Sequence, residues 1–135
     1  PIDVLCGKSI HDTYPAHRKI DDVLPDEMIL DIGDESIQNI NNNIINSKMV
    51  LWNGPVGAFE FKPYDKATNA IANIIKINSK KLNINTLAGG GDTVAAINNF
   101  KCSDGFTYIS TAGGAFLELL EGKILPGIKA LEINE

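Results

Sequence analysis

No stretch of this sequence approaches the roughly 20 consecutive apolar residues of a membrane-spanning helix, and its first residues lack the charged-then-apolar pattern of an export signal. Neither class of protein finds a basis here. Cysteine is scarce too: Cys6 and Cys102 lie far apart, with no further thiol or histidine at metal-ligand spacing. That spacing supports neither a disulfide framework nor a zinc site, and a reducing, cytoplasmic setting is expected. Basic residues are outnumbered, 12 Lys and Arg against 17 Asp and Glu, for a net charge of -5. A general attraction for nucleic acid or for an anionic membrane is therefore missing, and neither is expected as a partner. There is no long-period repeat and no low-complexity tail. What remains is a balance of 44% hydrophobic and 21% charged residues over 135 positions, enough for one ordinary core. The chain opens on Pro1 and not on Met, as an excerpt of a longer polypeptide or a processed one would.

From residue 28 onward, short apolar runs alternate with runs of helical period. "MILDIG" (28–33) reads as a buried strand; "DESIQNINNNIINSK" follows, with Asp34 as expected N-cap and Ile37, Ile40, Ile44 and Ile45 on one face. "MVLWNG" (49–54) is the next strand, then the loop "PVGAFEFK", then a helix expected to open at Pro63 with Ala67, Ala70, Ile71, Ile74 and Ile75 in phase. "INTLAG" leads into "DTVAAINNF", and "FTYIST" into "GGAFLELLEG", where Gly122 is an expected C-cap. Four strand-helix units in series predict an α/β fold: a mostly parallel, doubly wound sheet with helices on both faces, Rossmann-like in layering. "PIDVLC" reads as one more strand. Residues 7–27 mix charge, proline and histidine without a period and mark a connection or a small subsidiary element.

In an open parallel sheet, ligands bind beyond the carboxyl ends of the strands. Three glycine-bearing stretches, "GPVG", "GGGDT" and "AGG", fall there. Helix N-termini present unpaired N–H groups, and glycine lets an anion approach them, so the expected ligand is a phosphate. A carboxylate beside a phosphate is repulsive unless a cation lies between, which makes Asp92 a candidate magnesium ligand and Thr93 a candidate hydroxyl donor. The competing reading is that Asp92 N-caps its helix and the glycines make a tight turn. Val94 breaks the dinucleotide fingerprint, and no lysine follows as a P-loop requires. In "LWNGPVGAFEF", Asn53 and Glu60 are polar groups available to a ribose or phosphate, and Val56 and Phe59 offer apolar surface to a base. The plainer alternative is a core aromatic, a solvated Glu60 and a buried Trp52. His11 and His17 read as solvated loop residues rather than general bases. Ser110 and Thr111 read as a helix cap.

"LWNGPVGAFEF", "LAGGGDTVAAI" and "YISTAGGAFLELLEGKILPGIKAL" closely resemble, in this order and spacing, the late part of phosphoglycerate kinase; "PIDV" and "MILDIGDESI" resemble its preceding segments. The resemblance implies a two-domain kinase, of which residues 1–135 are the latter half of the C-terminal, nucleotide-binding domain. The N-terminal domain, which binds the triose phosphate, is absent from this chain. The implied reaction moves a phosphoryl group between 1,3-bisphosphoglycerate and ADP, giving 3-phosphoglycerate and ATP, with Mg2+ accompanying ADP or ATP. Asp92 matches the magnesium-associated aspartate. Gly90, Gly91 and Thr93 match the loop around the phosphates, with the two glycines near the phosphoryl in flight. Asn53 matches an asparagine near those phosphates, Glu60 the acid on the ribose, and Val56 a residue of the nucleoside pocket. Gly113 and Gly114 match part of a glycine loop facing the interdomain cleft; here Ala112 stands where a third glycine often does, and Phe116 replaces a smaller residue. The resemblance also implies a monomer that works only with the rest of its polypeptide, so the 135 residues alone are expected to be inactive. A non-catalytic nucleotide-binding module or a remnant shares every motif, and an NAD-dependent oxidoreductase lacks its fingerprint here.

Overall fold

The computed structural model describes residues 1–132; the last three residues of the expected 1–135 unit lie outside it. Three strands come first: β1 (Asp3–Gly7), β2 (Ala16–Lys19) and β3 (Met28–Ile32). After them strand and helix alternate: α1 (Asp34–Ile45), β4 (Met49–Asn53), α2 (Lys66–Leu82), β5 (Asn85–Gly89), α3 (Gly91–Asn99), β6 (Tyr108–Ser110), α4 (Gly114–Leu120) and α5 (Pro126–Glu132). No helix among the described residues is long and apolar enough to cross a membrane.

The parallel architecture holds for β4, β5 and β6, which lie side by side in that order with Trp52 opposite Ala88 and Gly89 opposite Ser110. The first expected unit differs. β3 joins a separate antiparallel sheet, order β2-β1-β3, with Val4 opposite Ile32. The irregular segment 7–27 is the reason: it folds back as β2 and occupies the other edge of β1. His17 therefore sits in a strand rather than a loop, still exposed.

The main core lies between one face of the parallel sheet and its helices. Trp52 and Ala88 project from the sheet, and Ile44 of α1, Ile71 and Ile75 of α2 and Ile97 of α3 close over them. Ile45, expected on the same face as Ile44, is 39% exposed, at the edge of the stripe. The other face is only partly covered: α4 lays Phe116 over it, the ring 2.6 Å from where a Cβ on Gly89 would stand and 6.1 Å from the Tyr108 ring. A smaller cluster joins Leu5, Leu30 and Tyr64.

Helix starts are set by tertiary partners. α1 is N-capped by Gly33, not Asp34, and Gly33 has no side chain to cap with. The cap comes from Asp3 on β1, whose carboxylate accepts from Ser36 N–H at 2.8 Å and Glu35 N–H at 3.1 Å. Asp34 is instead free to pair with Lys66 at 2.7 Å. α2 begins at Lys66 rather than Pro63 because Tyr64, fully buried in the smaller cluster, holds residues 61–64 in a turn closed by its N–H to Phe61 C=O. At its start Ala67 N–H donates to the Asp31 carboxylate of β3 at 2.9 Å. The end of α4 follows the sequence expectation: Gly122 has φ 80°, its N–H reaches Leu119 C=O, and Lys123 N–H reaches Glu118 C=O, the paired bonds of a Schellman cap.

Candidate functional site

The carboxyl ends of β4, β5 and β6 bring the three glycine stretches to one edge, in the order Gly54, Gly89–Gly91, Gly113–Gly114. The first two are bonded together. Gly54 N–H donates to Thr93 Oγ1 at 2.6 Å, across 39 residues of sequence. Asn53 Oδ1 lies 2.8 Å from the position a Cβ on Gly90 would take, and Gly90 itself has φ 92°, so only glycine fits there twice over. Around Gly54, Gly91, Gly113 and Gly114 an added Cβ would meet nothing within 4 Å. Their backbone is open to a ligand on the side where a side chain would be.

Asp92 lies in the first turn of α3, exposed, and the helix N-cap is Gly90 with no side-chain cap bond. The reading of Asp92 as an N-cap is therefore wrong: the helix begins at Gly91, two residues too early for it. None of the ion pairs among the described residues involves Asp92. Thr93 is fully buried and already accepts from Gly54 N–H; a hydroxyl has one donor and two lone pairs, so its O–H remains for a second partner. Among the described residues no group of three or more His, Cys, Asp or Glu side chains converges on a metal position. A cation here would rest on one carboxylate and on oxygens brought by the ligand, which suits magnesium with a nucleotide phosphate.

The third loop is looser. Gly113 carries the positive φ, 55°, and Ala112 is not among the positive-φ residues, so its extra methyl costs the backbone nothing. Ser110 does not cap α4: its Oγ accepts from Ala112 N–H at 3.2 Å, and Gly113 holds the N-cap position. Phe116 is accommodated because Gly89 offers it a flat seat.

The loop after β4 is held from β3. Ala58 N–H donates to Leu30 C=O at 2.8 Å, and the Asp31 carboxylate lies where a Cβ on Gly57 would be. Val56 packs against the main core and lines a cavity of about 460 Å³ with Ile2, Ile32, Ser36 and Ile40. Asn53 and Glu60 do not contribute to that lining; Phe59 is half-buried and Glu60 exposed. Thus Asn53, Gly90, Gly91, Asp92 and Thr93 come together, while Val56 and Glu60 lie further along the loop. Sequence reasoning missed Asp31 and the hydrogen-bonding role of Trp52; a lone aspartate inside the apolar run "MILDI" was the available signal for the first.

Fold and edge together define an α/β protein of the parallel-sheet class whose ligand edge is built from glycine loops. The family model described as phosphoglycerate kinase matches residues 1–123. Curated phosphoglycerate kinases from Bartonella bacilliformis and Xanthobacter flavus are 48% and 51% identical over 97% of this chain. Among solved structures, the phosphoglycerate kinase from Coxiella burnetii superposes with a TM-score of 0.87 at 37% identity over 96% of the chain. That from Pyrococcus horikoshii gives 0.80 at 25% identity over 98%. The chain belongs to the phosphoglycerate kinase family. It spans about a third of the length of the relatives it matches, 33% for the first curated one and for the Coxiella structure.

Proposed function

We propose that this chain supplies part of the MgADP/MgATP site of a phosphoglycerate kinase, as the latter half of its C-terminal nucleotide-binding domain. The observation that carries the reading is the Gly54–Thr93 bond, which sets two glycine loops side by side with Asp92 at their rim. Family membership supplies the chemistry: reversible phosphoryl transfer between 1,3-bisphosphoglycerate and ADP, giving 3-phosphoglycerate and ATP. Such transfer asks mainly for positioning and charge stabilisation. In this reading the backbone at Gly90 and Gly91 and the Asn53 amide hold the phosphates, and the buried Thr93 serves that loop by fixing Gly54 through its Oγ1. Asp92 ligates Mg2+, which neutralises charge on the phosphate oxygens when bound. Gly113 and Gly114 present backbone N–H groups at the cleft, and Val56 and Glu60 serve the nucleoside.

Basic groups for the transferred phosphoryl and the triose phosphate come from the rest of the polypeptide, so the 135 residues alone have negligible turnover. The working enzyme is a cytoplasmic monomer in this reading. Calorimetric titration of the full-length protein tests it: binding of ADP that strengthens with magnesium, and none of NAD, is expected. Binding indifferent to magnesium, or preference for NAD, would remove the proposal.

A further inference from the structure

We propose that Trp52 is a positioning residue for the phosphate edge, acting through the Gly54 peptide groups to hold Asn53 against the second glycine loop; this rests on the nucleotide reading above. Trp52 is 7% exposed in β4 and stacks with Phe106 at 6.1 Å and 27°. Filling that space needs only an aromatic ring. The indole adds a donor, and it is aimed at the loop: Nε1–H donates to Gly54 C=O at 2.7 Å. The N–H of the same residue donates to Thr93 Oγ1. Gly54 is thus pinned at both its peptide groups, in a φ of 92° that any other residue would strain.

Asn53 lies between these anchors. Its backbone is fixed on one side by the last rung of the parallel ladder, Asn53 opposite Gly89, and on the other by Gly54. Its amide oxygen consequently stands close over Gly90, where there is no room for a Cβ. Releasing the indole bond frees the Gly54 carbonyl while the ring still fills the core. The Asn53 amide then loses its fixed aim, and a polar group misplaced by a fraction of an ångström forfeits much of its value to a bound ligand.

The test uses the full-length enzyme, assayed with ATP and 3-phosphoglycerate. Trp52→Phe keeps an aromatic ring in the core, smaller than the indole, and deletes the donor. A rise of about fivefold to tenfold in KM for MgATP is expected, from loss of one well-aimed hydrogen bond, with KM for 3-phosphoglycerate unchanged. In an Asn53→Ala background Trp52→Phe should add nothing, because its effect passes through Asn53. Gly54→Ala disturbs the same peptide without steric contact and should show the same non-additivity, which covers a Trp52 variant that folds poorly. Unchanged KM for MgATP, or effects that multiply in the double variants, would overturn the assignment of Trp52 alone. A wild-type enzyme without affinity for MgATP would overturn both this assignment and the nucleotide reading.

Discussion

Asp31 is 1% exposed beneath Gly57 and accepts N–H groups from Ala67 and Ile32, both at 2.9 Å. Burial pushes its carboxyl up to about 6; the two backbone donors, and Lys66 more weakly, pull the other way, while Asp65 adds to the rise. The folded state therefore holds this proton more tightly than the unfolded chain, whose aspartate titrates near 3.8. Stability from that proton is present in full below pH 3.8 and is lost as pH rises through about 6. The loss is on the order of 3 kcal/mol, about two pH units at about 1.4 kcal/mol each. In urea unfolding of the full-length protein from pH 4 to 7, the wild type should lose stability relative to Asp31→Asn by that order. Parallel curves for the two proteins would refute it. Asp3, the same residue type, has the opposite sign. Burial acts to raise it, but the Ser36 hydroxyl and the Glu35 and Ser36 N–H groups outweigh burial and leave it below its ordinary value.

At the scale of elements, two aspartates on strands serve the starts of two helices more than 30 residues away, Asp3 for α1 and Asp31 for α2. Asp3→Ala removes the carboxylate that, among the described residues, accepts from Glu35 and Ser36 N–H at the start of α1, where Gly33 supplies no side chain. A cost of about 1 kcal/mol is expected, as for other lost N-caps. It should appear as faster hydrogen exchange at Glu35 and Ser36, with α2 amides unaffected. Slowed or unchanged exchange there would mean that another group caps α1. These long-range caps explain what the sequence left hidden. The isoleucine spacing in α1 and α2 and the strands β4 to β6 were legible, because period and turn residues are local signals. The start of α1 was misplaced by one residue, since Asp34 has the chemistry of a cap and only the position of Asp3 in space excludes it. The antiparallel pairing of β3 with β1 was hidden for the same reason: nothing within "MILDI" says which strand lies beside it. The glycine edge was legible as a shared edge, whereas the Gly54–Thr93 and Trp52–Gly54 bonds that assemble it had no local signature.

For the whole molecule, the uncovered face of the parallel sheet is the main unfinished feature. Met49 is 62% exposed, Leu51 48% and Tyr108 55%, on the face opposite Trp52 and Ala88. The chain spans about a third of the length of its relatives, and in the proposed enzyme the rest of the polypeptide is expected to pack on this face. Leu51→Ala in the full-length protein should then cost 2 to 5 kcal/mol, roughly the range for a buried leucine. A loss within about 0.5 kcal/mol, the scale of a surface substitution, would show that the face stays open. Denaturant midpoints of the two proteins decide it.

The proposed phosphate site rests on Asp92, the exposed acid beside the open Gly91 that, among the described residues, neither caps its helix nor pairs with a cation. The most direct measurement is kcat of the full-length Asp92→Ala enzyme at saturating magnesium, ATP and 3-phosphoglycerate, alongside its unfolding midpoint. The account predicts a fall in kcat of at least about a hundredfold, equivalent to about 2.7 kcal/mol of transition-state stabilisation, with the midpoint nearly unchanged. Wild-type turnover in the variant would contradict it.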